Sequence, residues 1–313
     1  MTAHAEERGR LTSRAALASV SAATILLALK AYAVWATGSV AMLGSLADTM
    51  LDLAASLVTL FAVRFAATPA DRDHRFGHGK AEALAALAQV VLISVSAIGI
   101  GWRAVERLIH GETTANAEYG IGVSVMAIVV TLALVTYQQS VVRRTGSIAI
   151  NTDRVHYQSD LFLNLSVIAA LALDQYAGVP GADPIFGLGI ALWLVWGAWR
   201  ASSLALDQLM DREWPEEKRL HFLAIASARP EAKGIHDFRT RSSGARDFAQ
   251  FHIWVDPAMT VARAHDIVDA VEADLAREFP GCEVLIHIDP EGHVDALDNP
   301  LVTIDETREP IPE

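Results

Sequence analysis

The sequence predicts a six-helix transmembrane bundle followed by a small cytoplasmic α+β domain. Composition is the first reason, because 52% of the 313 residues are apolar and the mean hydropathy is +0.29. A soluble protein of this length rarely shows such values, since its surface must be polar. Distribution is the second reason: long apolar runs fill the chain up to about residue 210, and charged residues become denser after it.

Composition also excludes several classes of protein. The formal net charge is −12 at pH 7, whereas a nucleic-acid-binding protein needs basic patches that neutralise phosphates. We therefore expect no nucleic-acid partner. The single cysteine, Cys282, excludes a disulfide within the chain and any zinc site built from several thiolates.

Six apolar stretches are each close to the roughly 20 residues that cross a bilayer. They cover residues 13–36, 40–66, 81–107, 117–142, 148–174 and 184–206. The first is too long for a cleavable signal peptide, and further spans follow it. We therefore expect a cytoplasmic N-terminal segment (1–12), a transmembrane domain (13–211), a cytoplasmic domain (212–291) and a tail (292–313).

Basic residues in the connections predict the orientation of these spans. They cluster near the start of the first span, between spans two and three, and between spans four and five: Arg8, Arg10, Arg14, Arg64, Arg72, Arg75, Lys80, Arg143 and Arg144. The connections after spans one and five carry none, and only Arg103 and Arg107 run against the pattern. The positive-inside rule therefore places both termini in the cytoplasm. Lys30, inside span one, is expected to extend its amine towards the outer surface.

The segment from residue 212 to 291 has the pattern of a compact α+β domain. Helical spacing is expected over 215–228 and 261–279, and strand alternation over 234–242, 248–255 and 284–288. The predicted order is helix, strand, strand, helix, strand. The tail after Gly292 is acidic and contains three prolines, so we expect it to be disordered.

Two pairs of metal-competent side chains fall inside predicted spans. Asp48 and Asp52 lie in span two, and His156 and Asp160 lie in span five. Residues four apart share one helix face and lie about 6 Å from each other. At a rise of 1.5 Å per residue, both pairs lie about 12 and 18 Å from the surface at which their helix enters. The four side chains can therefore meet near the bilayer midplane.

Carboxylates at that depth require compensation. Each would cost roughly 2.5–3.5 kcal/mol on insertion scales, and a divalent cation would supply the missing charge. One imidazole and three carboxylates predict a four-coordinate site for Zn²⁺ or a similar first-row ion. The alternative is a set of polar side chains that hydrogen-bond between helices.

A second candidate site lies in the connection between spans two and three. Asp71, His74 and His78 have a loop spacing that could hold one metal ion exposed to water. The alternative is a solvated polar loop with two ordinary histidines.

A third candidate site lies in the α+β domain, which contains His236, His252, His265, His287 and Asp289. His236 and His252 fall on adjacent predicted strands, and His287 and Asp289 point to one face of the last strand. The alternative is isolated surface histidines.

Together these features resemble the cation diffusion facilitator family, in particular its bacterial zinc and ferrous-iron efflux members. The resemblance rests on the two midplane pairs, on the loop Pro-Ala-Asp-x-x-His-x-Phe-Gly-His-Gly-Lys-Ala-Glu (69–82) and on the histidine-bearing C-terminal domain; it covers about residues 12–290. It implies a homodimeric transporter of the inner membrane, not an enzyme, with a metallochaperone-like cytoplasmic domain that dimerises.

The resemblance also assigns roles to residues. Its transport site corresponds to Asp48, Asp52, His156 and Asp160, its loop site to Asp71, His74 and His78, and its binuclear interface site to His236, His252, His265, His287 and Asp289. Lys80 and Asp211 correspond to a charge interlock that holds the protomers together near the membrane surface. Ile288 stands where close relatives carry a polar residue, and an isoleucine cannot ligate a metal. The second ion of the binuclear site is therefore expected to be weaker or differently completed.

The predicted function is export of a divalent cation in exchange for protons. Zn²⁺ is the first expected substrate, with Cd²⁺ or Fe²⁺ as others, because an imidazole ligand disfavours hard cations such as Mg²⁺. Metal binds only deprotonated ligands, so metal and protons compete for the same groups. The alternatives are a membrane-tethered metal sensor, a passive channel and an intramembrane metalloenzyme. Three carboxylates would bind too tightly for fast conduction, and the sequence contains no His-Glu-x-x-His motif.

Overall fold

The computed structural model describes residues 3–37, 40–110, 120–177 and 182–293. Most of the predicted disordered tail, from residue 294 onwards, lies outside the described residues. The chain divides into two compact units. We call residues 8–68 and 80–206 the helical unit, and residues 1–7, 69–79 and 207–313 the sheet unit. The loop between the second and third helices thus belongs to the sheet unit.

The membrane domain is formed by six long helices. Their bounds are α1 Ala3–Thr37, α2 Val40–Ala66, α3 Ala81–His110, α4 Gly120–Thr145, α5 Ile148–Ala177 and α6 Ala182–Leu209. Five of them, all except α5, are long and apolar enough to cross a membrane. The expectation of six spans is therefore met for five within the described residues.

Small side chains allow the helices of this unit to approach each other closely. Ala15 and Ala16 of α1, Ala85 of α3 and Ala149 of α5 are all at most 5% exposed and belong to one cluster. Such residues are typical of helix interfaces in membranes, where packing replaces the hydrophobic effect. Large apolar side chains point outwards instead, and Trp199 of α6 is 76% exposed. This inverted pattern fits a lipid environment.

The sheet unit has the predicted order of helix, strand, strand, helix, strand. Its elements are α7 Glu216–Ala226, β1 Lys233–Ser243, β2 Arg246–Val255, α8 Val261–Glu278 and β3 Glu283–Pro290. The central strand β2 pairs antiparallel with β1 and parallel with β3. The core is formed by Phe222, Phe238, Phe251, Ile253, Ile267, Val271 and Leu275. Thr260 caps α8, since its hydroxyl accepts a hydrogen bond from the Arg263 amide.

The loop of residues 69–79 packs against the turn between β1 and β2. The Phe76 ring meets the Phe248 ring edge-on at 5.7 Å, and the Arg241 guanidinium lies over both rings at 4.7 and 4.6 Å. Gly79 approaches the turn so closely that a Cβ atom there would lie 2.1 Å from the carbonyl oxygen of Ser243. Two contacts therefore hold the loop that carries Asp71, His74 and His78. One is the aromatic contact of Phe76, and the other is the close backbone approach at Gly79.

The close approach at Gly79 generates a first prediction. In Gly79→Ala the loop must move away from the turn, because the new methyl group would overlap backbone atoms. We expect at least tenfold faster amide hydrogen exchange in residues 70–79. Gly99→Ala is the control, because nothing lies within 4 Å of its added Cβ and alanine favours a helix. Equal exchange in the two variants would show that the loop does not depend on this contact.

Candidate metal centres

Helices α2 and α5 bring three of the four predicted midplane residues together. Ligand atoms of Asp52, His156 and Asp160 all lie within 4.8 Å of one another. Nε2 of His156 and Oδ1 of Asp52 share a hydrogen bond of 2.9 Å. His156 is 8% exposed, and the two aspartates are half-buried. Asp48, one turn earlier on α2, is not part of this group and its side chain is exposed.

Lys30 lies beside this group rather than at the membrane surface. Its Nζ donates to Oγ1 of Thr49 at 2.6 Å and to the carbonyl oxygen of Ser45 at 3.3 Å. Thr49 is 1% exposed and precedes Asp52 by three residues. The expectation that Lys30 extends outwards is wrong, because a hydroxyl and a carbonyl of the neighbouring helix satisfy its amine inside the bundle. The sequence signal for this position inside the bundle is the presence of a lysine within an apolar span.

The loop residues form a second group. Ligand atoms of Asp71, His74 and His78 lie within 4.8 Å of one another. Asp71 is 3.4 Å from Nδ1 of His74 and 3.3 Å from Nε2 of His78. His78 is 8% exposed, whereas the other two side chains face water. The three predicted residues can thus hold one ion at a surface that solvent reaches.

Backbone amides keep the Asp71 carboxylate ionised. The amides of His74 and Asp73 donate to its Oδ1 at 2.7 and 3.0 Å. The hydrogen bond from His74 is the main reason that the pKa of Asp71 lies below its ordinary value, although partial desolvation opposes it. Because the pKa of Asp71 is lower in the folded protein than in the unfolded chain, its carboxylate is ionised at any pH above the unfolded-state value. It becomes protonated only when the pH falls through the lowered folded-state value.

Strand register produces the third group. His236 pairs with His252 across β1 and β2, and His252 pairs with His287 across β2 and β3. Ligand atoms of His236, His252 and Asp289 lie within 4.8 Å of one another. Oδ2 of Asp289 is 2.8 Å from Nδ1 of His252 and 3.4 Å from Nε2 of His236.

His236 has the features of a prepared metal ligand. Its Nδ1 shares a hydrogen bond of 2.8 Å with the carbonyl oxygen of Gly234 and must be the protonated nitrogen, because a carbonyl only accepts. The other ring nitrogen, Nε2, faces Oδ2 of Asp289 at 3.4 Å. Within the described residues this buried atom has no hydrogen-bond partner. A fixed tautomer with an unsatisfied nitrogen is the arrangement seen around metal-ligating histidines.

Two predicted ligands of this domain lie outside the group. His287 is exposed, and its Nε2 is 3.4 Å from Oδ1 of Asp289, the carboxylate oxygen that faces away from His236 and His252. His265 on α8 is exposed and pairs with Asp269 at 3.6 Å. Ile288 packs against the hydrophobic core, on the opposite face of β3 from His287 and Asp289. The isoleucine therefore fills a core position rather than a ligand position.

Comparison with known proteins decides among the functions that three metal-competent groups allow. The cation efflux transmembrane domain matches residues 16–210, and the cytoplasmic domain of cation efflux proteins matches residues 214–291. This chain belongs to the cation efflux family. The resemblance to cation diffusion facilitators is thereby confirmed, and the chain is a multi-pass membrane metal transporter of that family.

The FieF relatives support this assignment over nearly the whole chain. The cation-efflux pump FieF of Klebsiella pneumoniae is 44% identical over 288 residues, which are 92% of this chain and 96% of the relative. FieF of Cronobacter sakazakii is 45% identical over 282 residues, 90% of this chain and 94% of the relative. A structure of the metal-bound C-terminal domain of the CzcD transporter from Thermotoga maritima is 24% identical, covers 26% of this chain and 100% of its own, and has a TM-score of 0.24.

The geometry of the loop group generates a second prediction. Asp71→Asn should remove about one bound Zn²⁺ per chain, because the carboxylate lies between both histidines. Asp73→Asn is the matched control, since Asp73 is an exposed aspartate of the same loop outside the group. Equilibrium dialysis of the purified full-length protein measures this stoichiometry.

The lowered pKa of Asp71 also predicts how the metal-free loop behaves in acid. The carboxylate should stay ionised at a pH at which an ordinary aspartate, with a pKa of about 3.9, is half protonated. An NMR titration of the Asp71 carboxylate measures this, and a midpoint at or above that ordinary value would contradict the role of the backbone amides.

Proposed function

We propose that this protein exports Zn²⁺ from the cytoplasm in exchange for protons, with Cd²⁺ and Fe²⁺ as further substrates. The observation that carries the proposal is the meeting of Asp52, His156 and Asp160 in the interior of a helical membrane unit. One imidazole nitrogen and several carboxylate oxygens suit a first-row divalent ion. Asp48 would complete a four-ligand set by turning inwards from its exposed position on the same helix.

The hydrogen bond between His156 and Asp52 supports the proposed exchange with protons. The atoms that would bind the ion, Nε2 and Oδ1, already share a proton across 2.9 Å. A metal ion at this position must displace that proton, since it needs the lone pair of the imidazole. The site therefore holds either protons or the metal. Alternating exposure of such a site to the two sides of the membrane couples the two fluxes.

The proposed topology places all six helices across the inner membrane, with both termini in the cytoplasm. Helix α5 would cross although it is not among the five helices that are apolar enough by composition, because Asp153 and His156 find partners on other helices. Arg143 and Arg144, at the end of α4, mark the cytoplasmic end of α5. The sheet unit would then lie in the cytoplasm.

The proposed assembly is a homodimer, which the cytoplasmic domain match supports. In one chain His265 and His287 are exposed and lie outside the ligand group, so a second copy would supply the facing surface of a binuclear site. Asp289 suits a bridging role, because one oxygen faces His252 and the other faces His287. Lys80 and Asp211 would form the charge interlock between protomers; within one chain Asp211 already lies 3.7 Å from Arg241.

A membrane-tethered metal sensor is the second candidate function. Two of the three metal-competent groups found in the described residues belong to the sheet unit, not the helical one. A sensor would use those two groups alone, and the midplane group of Asp52, His156 and Asp160 would then have no function in metal binding.

Zinc flux into proteoliposomes across an imposed pH gradient tests the proposed function. We expect gradient-dependent flux in the wild type and at least a tenfold loss in Asp52→Ala and His156→Ala, since each removes a ligand of the midplane group. His110→Ala is the control, because this histidine at the end of α3 is exposed and shares a hydrogen bond of 2.9 Å with the carbonyl oxygen of Glu106 in its own helix. Flux that ignores the gradient would favour a passive channel. No flux of Zn²⁺, Cd²⁺ or Fe²⁺ in a folded preparation would favour the sensor.

The proposed dimer yields a separate prediction. Zn²⁺ should slow the dissociation of the full-length dimer, and His236→Ala combined with His287→Ala should abolish that effect. Binding at the midplane group should persist, because neither residue belongs to it. Subunit exchange between differently labelled protomers, with and without Zn²⁺, measures the effect. Zinc-dependent slowing that survives in the double variant would remove these residues from the interface site.

A further inference from the structure

A buried carboxylate outside the three metal groups connects most helices of the membrane unit. Asp153 of α5 is 0% exposed. Its Oδ2 accepts hydrogen bonds from Oγ of Ser19 at 2.6 Å and from Nε2 of Gln138 at 2.7 Å, and its Oδ1 accepts one from Nε2 of Gln89 at 2.9 Å. Gln89 also donates to Thr59. These five residues, the Asp153 layer, come from α1, α2, α3, α4 and α5.

The partners of Asp153 are neutral, and two acceptors of the layer are left unpaired. Ser19 accepts from Gln138 at 2.9 Å, and its hydroxyl lies within hydrogen-bond distance of both Asp153 and the carbonyl oxygen of Ala15, at 2.6 and 3.1 Å. The two amides donate to the carboxylate, and none of its partners among the described residues is a lysine or arginine. The carbonyl oxygens of Gln89 and Gln138 have no hydrogen-bond partner within the described part of the chain. Buried unpaired acceptors are costly, and water would satisfy them once the layer opened.

The layer lies on one side of the midplane group. Asp153 precedes His156 by three residues, one turn nearer to the start of α5. On that side Ala149 and Ile150 are fully buried in an apolar cluster. Towards the opposite end the group is more open, since Asp160 is half-buried and Asp48 is exposed. The route to His156 from the start of α5 is therefore filled by side chains.

Tyr157 links the layer to the midplane group. Its hydroxyl shares a hydrogen bond of 2.7 Å with Oγ of Ser56 and donates to the carbonyl oxygen of Ser19 at 3.3 Å. Its ring meets the His156 ring edge-on at 5.6 Å. A displacement of α1 at Ser19 would therefore break the bond that Tyr157 donates to α1, whereas its bond to Ser56 and its ring contact with His156 do not involve α1.

We propose that Asp153 is a positioning residue for transport, which holds the inner gate of the pathway closed through the Asp153 layer. The proposal rests on the export function proposed above, because that function requires a site that closes to one side at a time. The bonds to Asp153 run between different helices, so separation of α1 and α4 from α5 breaks them together. Water can then replace the lost donors, which makes the layer suited to two discrete states.

Thiol labelling tests whether the layer closes the inner route. The native thiol gives little background, because burial raises the pKa of Cys282 to about 12, and Cys282→Ser removes it. Ser56→Cys places a nearly isosteric reporter on α2, at a position that is 0% exposed. In vesicles with the cytoplasmic face outwards, a membrane-impermeant maleimide should label this reporter at least fivefold faster in Asp153→Asn. The reason is that the asparagine amide places a hydrogen-bond donor where three donors already point at residue 153, which weakens the layer.

An exchange of partners separates gating from ordinary packing. Asp153→Asn with Gln138→Glu swaps the carboxylate and the amide across the same hydrogen bond. The swapped pair should restore slow labelling and bring zinc flux to within about threefold of the wild type. Gln138→Glu alone should label fastest, because two carboxylates then face each other. Ser19→Ala, which removes one bond and keeps the carboxylate, should be intermediate and serves if Asp153→Asn does not fold.

The zinc affinity of the midplane group distinguishes gate opening from loss of structure. Loss of structure would lower this affinity, whereas gate opening would leave it nearly unchanged. It should stay within about threefold of the wild type in all four variants. Wild-type labelling rates in folded Asp153→Asn and Ser19→Ala would overturn the gate, as would a swapped pair no better than the single variants. If the wild type showed no zinc flux, the proposed export function would be wrong. The labelling rates would still test whether the Asp153 layer closes the inner route.

Discussion

The structure of the membrane unit depends on giving partners to acidic side chains inside apolar helices. A carboxylate at bilayer depth is expensive unless it has a partner, and Asp153 and Asp160 of helix α5 are such carboxylates. Asp153 is satisfied by neutral donors from three other helices, whereas Asp160 lies against His156 and Asp52. These contacts are made between helices, so they fix which helices must be neighbours. Alanines at the interfaces then allow the approach that the polar contacts require.

The two kinds of buried carboxylate differ in what could replace their partners. Asp52 and Asp160 lie beside an imidazole whose lone pair a metal ion can use, and their side chains are partly open. Asp153 is enclosed by amide and hydroxyl donors that a cation would have to expel. The same residue type therefore suits ligand exchange in one place and helix fixation in the other. Environment, not residue identity, separates these roles.

Local sequence patterns predicted the elements of the sheet unit, but they could not predict the contacts between helices. Alternation and turn residues predicted the order of α7, β1, β2, α8 and β3, because each signal lies within its own segment. Spacing of four predicted that Asp52, His156 and Asp160 meet. Lys30 was misplaced and the role of Asp153 missed, since their partners are 15 residues or more away in the chain. Asp48, His265 and His287 remain predicted ligands that a single chain does not gather into a group.

The three metal groups are graded in exposure, and this grading bears on how they can work together. The loop group has two exposed members, whereas in the sheet group His236 and Asp289 are 2% and 5% exposed. An ion in the loop group would therefore exchange with the solvent more readily than an ion in the sheet group. The loop group contacts the sheet through Phe76 and Gly79 within one compact unit. We therefore expect an ion that orders the loop to order the turn between β1 and β2 as well, whose strands carry His236 and His252.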